Sequence, residues 1–194
     1  MKFMKCGQIE GKDIYLRLMT GEDTENIIRW RNKEMVFRNF IYQKPFTRKG
    51  HENWIKTMID TGRAVQFIIC EKAGTRPVGS VYLRDIDRTH NKAEYGIFIG
   101  EEDALGKGYG TQAALMMIKY AFEEAGLHKL MLRVLAENDR AVRSYEKAGF
   151  VKEAYLRDEV FLEGRYKDVI YMAVLREDKN YSDLHFQAPV FVKY

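Results

Sequence analysis

Leu105-Gly106-Lys107-Gly108-Tyr109-Gly110-Thr111 stands between an apolar stretch, Ala93 to Ile99, and a helical stripe of Ala114, Ile118, Ala121, Phe122 and Ala125. Glycines at alternate positions let a backbone approach a ligand closely, and the start of the following helix offers unpaired N–H groups to an anion. The loop is no Walker loop, because no Gly-Lys-Ser/Thr closes it. Nor is it a Rossmann fingerprint, which belongs at a chain's first strand. Taken alone, Gly-x-Gly-x-Gly serves a flexible turn as readily as a phosphate site.

Working outward, Val65 to Cys70, Val78 to Leu83 and Ala93 to Ile99 are β-branched or alternating runs joined by turns at 73–77 and 87–92. This predicts an antiparallel meander feeding the glycine loop. Upstream, Ile14 to Leu18 alternates as a strand. Thr20 with Asp23 resembles a capping box for a helix carrying Ile27, Ile28, Trp30 and Arg31, and a second helix starts at Thr47. Downstream, Gly126 stops the helix after the loop, and Leu130 to Leu135 is a strand. Asn138 to Ala148 is a helix stopped by Gly149, and Phe150 begins another strand. Val160 to Leu162 and Val169 to Leu175 read as a hairpin around Glu163-Gly164-Arg165. The order β-α-α-β-β-β-α-β-α-β-β is a mixed α/β domain. Its expected boundaries are 14–175, after an N-terminal extension 1–13 and before an irregular C-terminal tail 176–194.

A second motif lies one strand beyond the loop. Asn138 and Tyr145 are separated by about two helical turns in Asn138-Asp139-Arg140-Ala141-Val142-Arg143-Ser144-Tyr145-Glu146-Lys147-Ala148-Gly149-Phe150, so both side chains reach one extended ligand. With Gly106-Lys107-Gly108-Tyr109-Gly110-Thr111 upstream, the chain resembles the GNAT superfamily of acetyl-coenzyme A-dependent N-acetyltransferases from roughly Ile14 to Leu175. Ala93-Glu94-Tyr95-Gly96-Ile97 and Gly164-Arg165-Tyr166-Lys167-Asp168 make it similar to the RimJ/RimL-like branch, which includes spermidine and amino-sugar acetyltransferases. Arg29-Trp30-Arg31-Asn32, with His51 and Trp54, is similar to the PseH type acting on nucleotide-linked amino sugars.

The resemblance implies a GNAT-like fold, with a mostly antiparallel sheet whose splayed strand pair forms the coenzyme cleft. It implies that backbone groups of Ile97, Phe98 and Ile99 pair with pantetheine. The N–H groups of Leu105, Gly106, Lys107, Gly108, Tyr109, Gly110 and Thr111 would then hold the pyrophosphate. Leu105 departs from the Gln or Arg that usually opens this loop, which leaves the backbone donor but no polar side chain. Glu101, Glu102 and Asp103 are unfavourable beside a pyrophosphate unless they face solvent.

Tyr145 is the candidate acid: a phenol, with pKa of about 10, can hydrogen-bond or protonate a departing thiolate. The alternative is a packed helix aromatic. Asn138 offers its amide to the pantetheine arm, is an N-cap, or does both. Glu94, a carboxylate in an apolar strand, is a candidate base for the incoming ammonium or a salt-bridged structural residue. His51 is the other candidate base, against a solvated surface histidine on a charged helix. Trp30 and Trp54 read as core, with stacking on a base or sugar of the acceptor as the alternative for either. Arg31 and Arg38 are candidates for an anionic acceptor group, against ordinary solvated charge.

Net charge is +4 over 194 residues, with 46% hydrophobic and 31% charged residues, which suits a packed domain and gives a mild electrostatic bias. Lysines and arginines are interspersed with acids, which disfavours nucleic acid as a partner. No apolar run approaches a membrane span, and Cys6 and Cys70 lack metal-ligand spacing, so the expectation is a cytoplasmic protein with reduced thiols and no metal. The expected reaction is acetyl transfer from acetyl-CoA to a primary amine of a small molecule, a nucleotide-linked amino sugar being favoured. A protein N-terminus and a polyamine are the other acceptors, and a homodimer is compatible. A non-catalytic acyl-CoA-binding module is the rival class.

Overall fold

The computed structural model describes residues 7–178 and the backbone of 190–192. Nine strands form one sheet: β1 (Gln8–Glu10), β2 (Ile14–Leu18), β3 (Val65–Glu71), β4 (Pro77–Asp87), β5 (Lys92–Ile99), β6 (Lys129–Leu135), β7 (Val151–Leu162), β8 (Arg165–Leu175) and β9 (Val190–Val192). Their order is β7-β8-β6-β5-β4-β3-β2-β1-β9. Every pairing is antiparallel except β5 with β6. The helices are α1 (Thr24–Asn32), α2 (Glu34–Phe37), α3 (Arg48–Trp54, wound on as a π-turn to Ile59), α4 (Tyr109–Lys119, likewise to Glu124) and α5 (Asp139–Lys147).

The meander, the glycine loop and the two downstream helices stand where the hydrophobic periods place them. Three elements differ. The stretch from Val151 to Leu162 is one strand with register shifts between Lys152 and Ala154 and between Leu156 and Val160, not two pieces around a gap. Gln8–Glu10, inside the expected extension, is a strand paired on both sides. Val190–Val192, inside the expected irregular tail, closes the far edge of the sheet. Residues 1–6, 179–189 and 193–194, Cys6 among them, lie outside the described residues.

The sheet is covered on both faces. One core gathers Ala113, Ala114, Met117 and Ile118 of α4 and Val142 of α5 on Phe67, Ile69, Val81, Leu83, Ala93 and Leu130. The other gathers Ile27 and Trp30 of α1 on Ile68, Tyr82 and Phe98. β3 is buried along its whole length, and its apolar run from Phe67 to Cys70 follows from burial on both faces; each fully buried Ile or Phe there contributes about 1.5–3 kcal/mol.

Two glycines of β5 and its exit set the second core. A Cβ at Gly96 would overlap the Tyr82 ring, and one at Gly100 would overlap the Trp30 indole. Trp30, fully buried, donates from Nε1 to Glu101 at 2.7 Å, and Arg29 and Lys33 hold the same carboxylate at 2.7 and 2.9 Å. Burial alone would raise the Glu101 pKa. The hydrogen bonds from Arg29, Trp30 and Lys33 outweigh it and hold the group at about 2, against an ordinary 4.5. A folded-state pKa below the unfolded one contributes stability that is present above the unfolded value and is lost as pH falls through the folded one. Glu101→Gln should therefore flatten the loss of thermal stability between about pH 5 and pH 2. An acid limb as steep as the wild type's in the variant would show that the clamp contributes nothing.

Candidate active site

β5 and β6 pair for only three residues, Lys92, Ala93 and Glu94 against Lys129, Leu130 and Met131, and then part. Beyond that seam β5 stays bonded to β4 as far as Ile99, and β6 stays bonded to β8 as far as Leu135. Each strand therefore keeps one ladder and turns a bare edge toward the other. Between the edges opens a cleft of about 780 Å³, lined by Tyr95 to Ile99, the glycine loop, the start of α5 and residues of the α1–α2 region. An extended chain with amide groups fits such an edge as a missing strand would.

The loop stands at the end of this opening. Gly106 and Gly108 have φ of 77° and 79°, the left-handed region, and Gly108 is the N-cap of α4. The first helical bond runs from the Gln112 N–H to Gly108, so the N–H groups of Tyr109, Gly110 and Thr111 have no helical acceptor. They are free for an anion, and the helix dipole favours one there. Glu71 fixes the loop from behind, accepting from the Tyr109 hydroxyl at 3.1 Å, from Lys107 Nζ at 3.3 Å and from Arg76 at 3.0 Å. Lys107 thus points away from the cleft, and its backbone remains the contribution. Two of the three acids near the loop are neutralised in the fold, Glu101 by Arg29 and Lys33 and Asp103 by Arg76 at 2.7 Å, and Glu102 is exposed. Arg140, Arg143 and Lys147 of α5 line the opposite wall.

Asn138 caps α5, its Oδ1 accepting from the Ala141 N–H at 3.2 Å, and lines the cleft. Thr111 and Ser144 share a 2.9 Å hydrogen bond that ties the start of α4 to the second half of α5. Tyr145, the next residue, lines the cleft, its ring set edge-on to Tyr95 and Phe150 at centroid distances of 6.1 and 6.0 Å. Its hydroxyl has no hydrogen-bond partner among the described residues. Burial pushes its pKa up, with Tyr82 adding to the shift, so the phenol stays protonated at working pH.

Glu94 lines the cleft from the other face of the sheet. Arg84 donates to it at 2.6 Å and Arg133 at 3.3 Å, and it is the one carboxylate among the lining residues. Arg31 also lines the cleft, stacked between Phe40 and Phe46. Arg38 does not; it is the exposed C-cap of α2, with Glu163 as an electrostatic neighbour.

His51 departs from the solvated reading. It is fully buried, because α3 turns it inward beside Phe46 while Arg48, Lys49, Glu52 and Lys56 take the outer face. Trp54 is half-buried, donating to Gln66 at 2.9 Å, and borders a small cavity next to the cleft rather than the cleft itself. Sequence reasoning missed Arg84, Arg133 and Tyr82. Arg84 and Arg133 are charges at alternate positions of apolar strands, a pattern that otherwise signals a solvent face.

Residues 13–151 match the family model described as an acetyltransferase (GNAT) domain. The chain belongs to the GNAT acetyltransferase family. It is 31% identical over 167 residues to the spermidine N(1)-acetyltransferase of Escherichia coli K12, covering 84% of this chain and 86% of that one. To the Vibrio cholerae spermidine N(1)-acetyltransferase it is 39% identical over 108 residues, which span 56% of this chain and 62% of the relative. A crystal structure of spermidine N-acetyltransferase from Vibrio cholerae in complex with CoA and spermine superposes with a TM-score of 0.80 at 28% identity, covering 88% of this chain and 99% of that one.

As a GNAT acetyltransferase the chain is an acetyl-CoA-dependent N-acetyltransferase acting on an amine. The residues present fit the coenzyme: bare strand edges for its amides, free N–H groups and an α5 cation row for its phosphates, and a hydroxyl above the opening. Among the described residues no cluster of metal-ligating side chains occurs and no helix is long and apolar enough to cross a membrane. Cys70 is a buried free thiol whose pKa burial raises, which suits packing and not nucleophilic attack.

Proposed function

We propose that the protein transfers acetyl directly from acetyl-CoA to a primary amine of a small molecule. When bound, the coenzyme supplies an activated acetyl thioester; the chain supplies alignment, charge and a proton donor. The edges of Ile97 to Ile99 and the N–H groups of 106–111 hold the donor, with Asn138 completing the wall; the Leu105 N–H, expected among these donors, is instead spent on the Glu102 carbonyl at 3.1 Å, closing the short turn before the loop. Glu94, the carboxylate of the cleft, draws in the acceptor's ammonium and receives its proton directly or through water. Tyr145 donates a hydrogen bond to the departing sulfur. Its raised pKa favours that donation over full proton transfer, since a phenol above 10 is a weaker acid than the thiol it would form.

The observation that carries this reading is the meeting of three features in one opening: the parted β5 and β6, the free start of α4, and the unpartnered Tyr145 hydroxyl. The names of the relatives favour a polyamine acceptor, which makes spermidine the second reading of the acceptor. A nucleotide-linked amino sugar rests on the likeness around Arg29 to Asn32. Release of free coenzyme A, followed with purified protein and a panel of amines, tests the reaction. Release that depends on an added amine supports transfer; slow release independent of any amine would leave a coenzyme-binding module.

A further inference from the structure

Arg31 is a guanidinium with no acidic partner among the described residues. It lies 4.1 and 4.4 Å from the Phe40 and Phe46 ring centroids, and its Nε is buried without a hydrogen bond. Beside it, His51 has both ring nitrogens buried and unpartnered. The two residues share a cavity of about 40 Å³ with Ile27, Trp54, Tyr82 and Arg84. Arg31, Tyr82 and Arg84 border both this cavity and the large cleft, and so form the threshold between them. Buried polar atoms are nearly always satisfied, and two side chains with unsatisfied nitrogens bordering one recess call for an occupant. The recess admits one water or one ligand oxygen.

The charge around the threshold decides what that occupant is. Arg31, Arg84 and Arg133 line this end of the cleft against a single lining carboxylate, Glu94, which already serves two of them; Asp85, outside the lining, stands 3.8 Å from Arg84, and no acid pairs with Arg31 among the described residues. Glu94 is left to meet one ammonium, the reacting one. A second or third ammonium, as on a polyamine, would lie against an uncompensated guanidinium in a half-buried site. We propose that the acceptor carries an anionic group, a carboxylate or phosphate, which binds Arg31 at this threshold and sends one oxygen or one bridging water to His51. The inference rests on the acetyl-transfer reading and narrows its substrate class. The imidazole suits the part: burial, then Arg31 beside it, lowers its pKa, so it offers one N–H donor and one acceptor. Asp23 and Glu52 oppose that shift and Arg48 adds to it.

Matched amines separate the anion from the rest of the molecule: glucosamine 6-phosphate against glucosamine for phosphate, lysine against cadaverine for carboxylate, and spermidine as the polycation. With saturating acetyl-CoA, the anionic member of at least one pair should exceed its partner in kcat/KM by about 10-fold or more, the scale of one hydrogen-bonded charge. Arg31→Met should bring that ratio close to one, and Arg31→Lys should leave it intermediate, because the charge stays and the planar fork is lost. Preference for spermidine over every anionic amine, or an unchanged ratio in Arg31→Met, would overturn the proposal.

A second measurement does not need turnover. Inorganic phosphate titrated by calorimetry into protein saturated with coenzyme A, so that the α4 start is filled, should bind saturably to the wild type and more weakly to Arg31→Lys. Absence of saturable binding to the wild type overturns the anion site. If every amine is silent while phosphate still binds, the transfer reading fails and the anion site stands.

Discussion

Tyr145→Phe is expected to lower kcat by on the order of 10²-fold, the lower end of what a positioned proton donor contributes. The substitution keeps the ring, which packs edge-on to Tyr95 and Phe150, and removes an oxygen with no hydrogen-bond partner among the described residues. Folding stability should therefore move by well under 1 kcal/mol, the usual range for a change that breaks no internal contact. Affinity for coenzyme should fall only slightly, since one neutral hydrogen bond is worth about 1 kcal/mol. A drop in kcat with little change in binding identifies an interaction made in the transition state. Turnover at the wild-type rate, in an assay limited by chemistry, would return Tyr145 to the role of a packed aromatic.

Gly110→Asp should weaken acetyl-CoA binding by about 10²-fold while leaving the fold intact, because like charges set against each other in a binding site cost several kcal/mol. The two effects have opposite signs. A carboxylate in the first turn of α4 stabilises the helix by about 0.3–1 kcal/mol through its dipole. A Cβ at Gly110 meets only Ser144 Oγ, at an ordinary 3.6 Å. The same charge stands where the free N–H groups would meet phosphate. Calorimetry with coenzyme A, beside a thermal melt, separates the two; a variant that is as stable and binds as tightly as the wild type would remove this loop from the site. Gly108→Val is the steric counterpart. Its Cβ meets nothing, but a φ of 79° is hostile to a β-branched residue, so its cost falls on the loop's conformation.

What the sequence made legible follows from which signals are local. The meander is readable because β-branched runs alternate with a glycine–proline turn at 73–77 and a polar turn at 87–92, and α4 because its stripe begins after three glycines and ends at Gly126. Asn138 and Tyr145 are readable because helical spacing alone puts them on one side. The misses are long-range. Nothing near Glu101 announces that Arg29, Trp30 and Lys33 will neutralise it from α1, some 70 positions away. His51 sits among charged neighbours, and its burial depends on Phe46 and Arg31 closing over it from other elements. The continuity of β7 is masked by its two register shifts and by exposure along most of its length, which erase the alternation that marks a strand. The parting of β5 from β6 leaves no trace in either strand's residues, because both read as ordinary apolar strands up to their ends.

That parting makes the sheet two ladders joined by a seam, one running from β9 to β5 and the other from β6 to β7. An extended guest that bonds to both bare edges would act as a tenth strand and turn two ladders into one. Recognition of this kind is written in main-chain groups, which every residue carries, so side chains along β5 and β6 can drift while the docking rail persists. It also couples the guest to the integrity of the host: at 100 times its dissociation constant, a ligand bound only by the folded form adds about 2.7 kcal/mol to stability. The cell's supply of acetyl donor then doubles as a structural component of the protein that spends it.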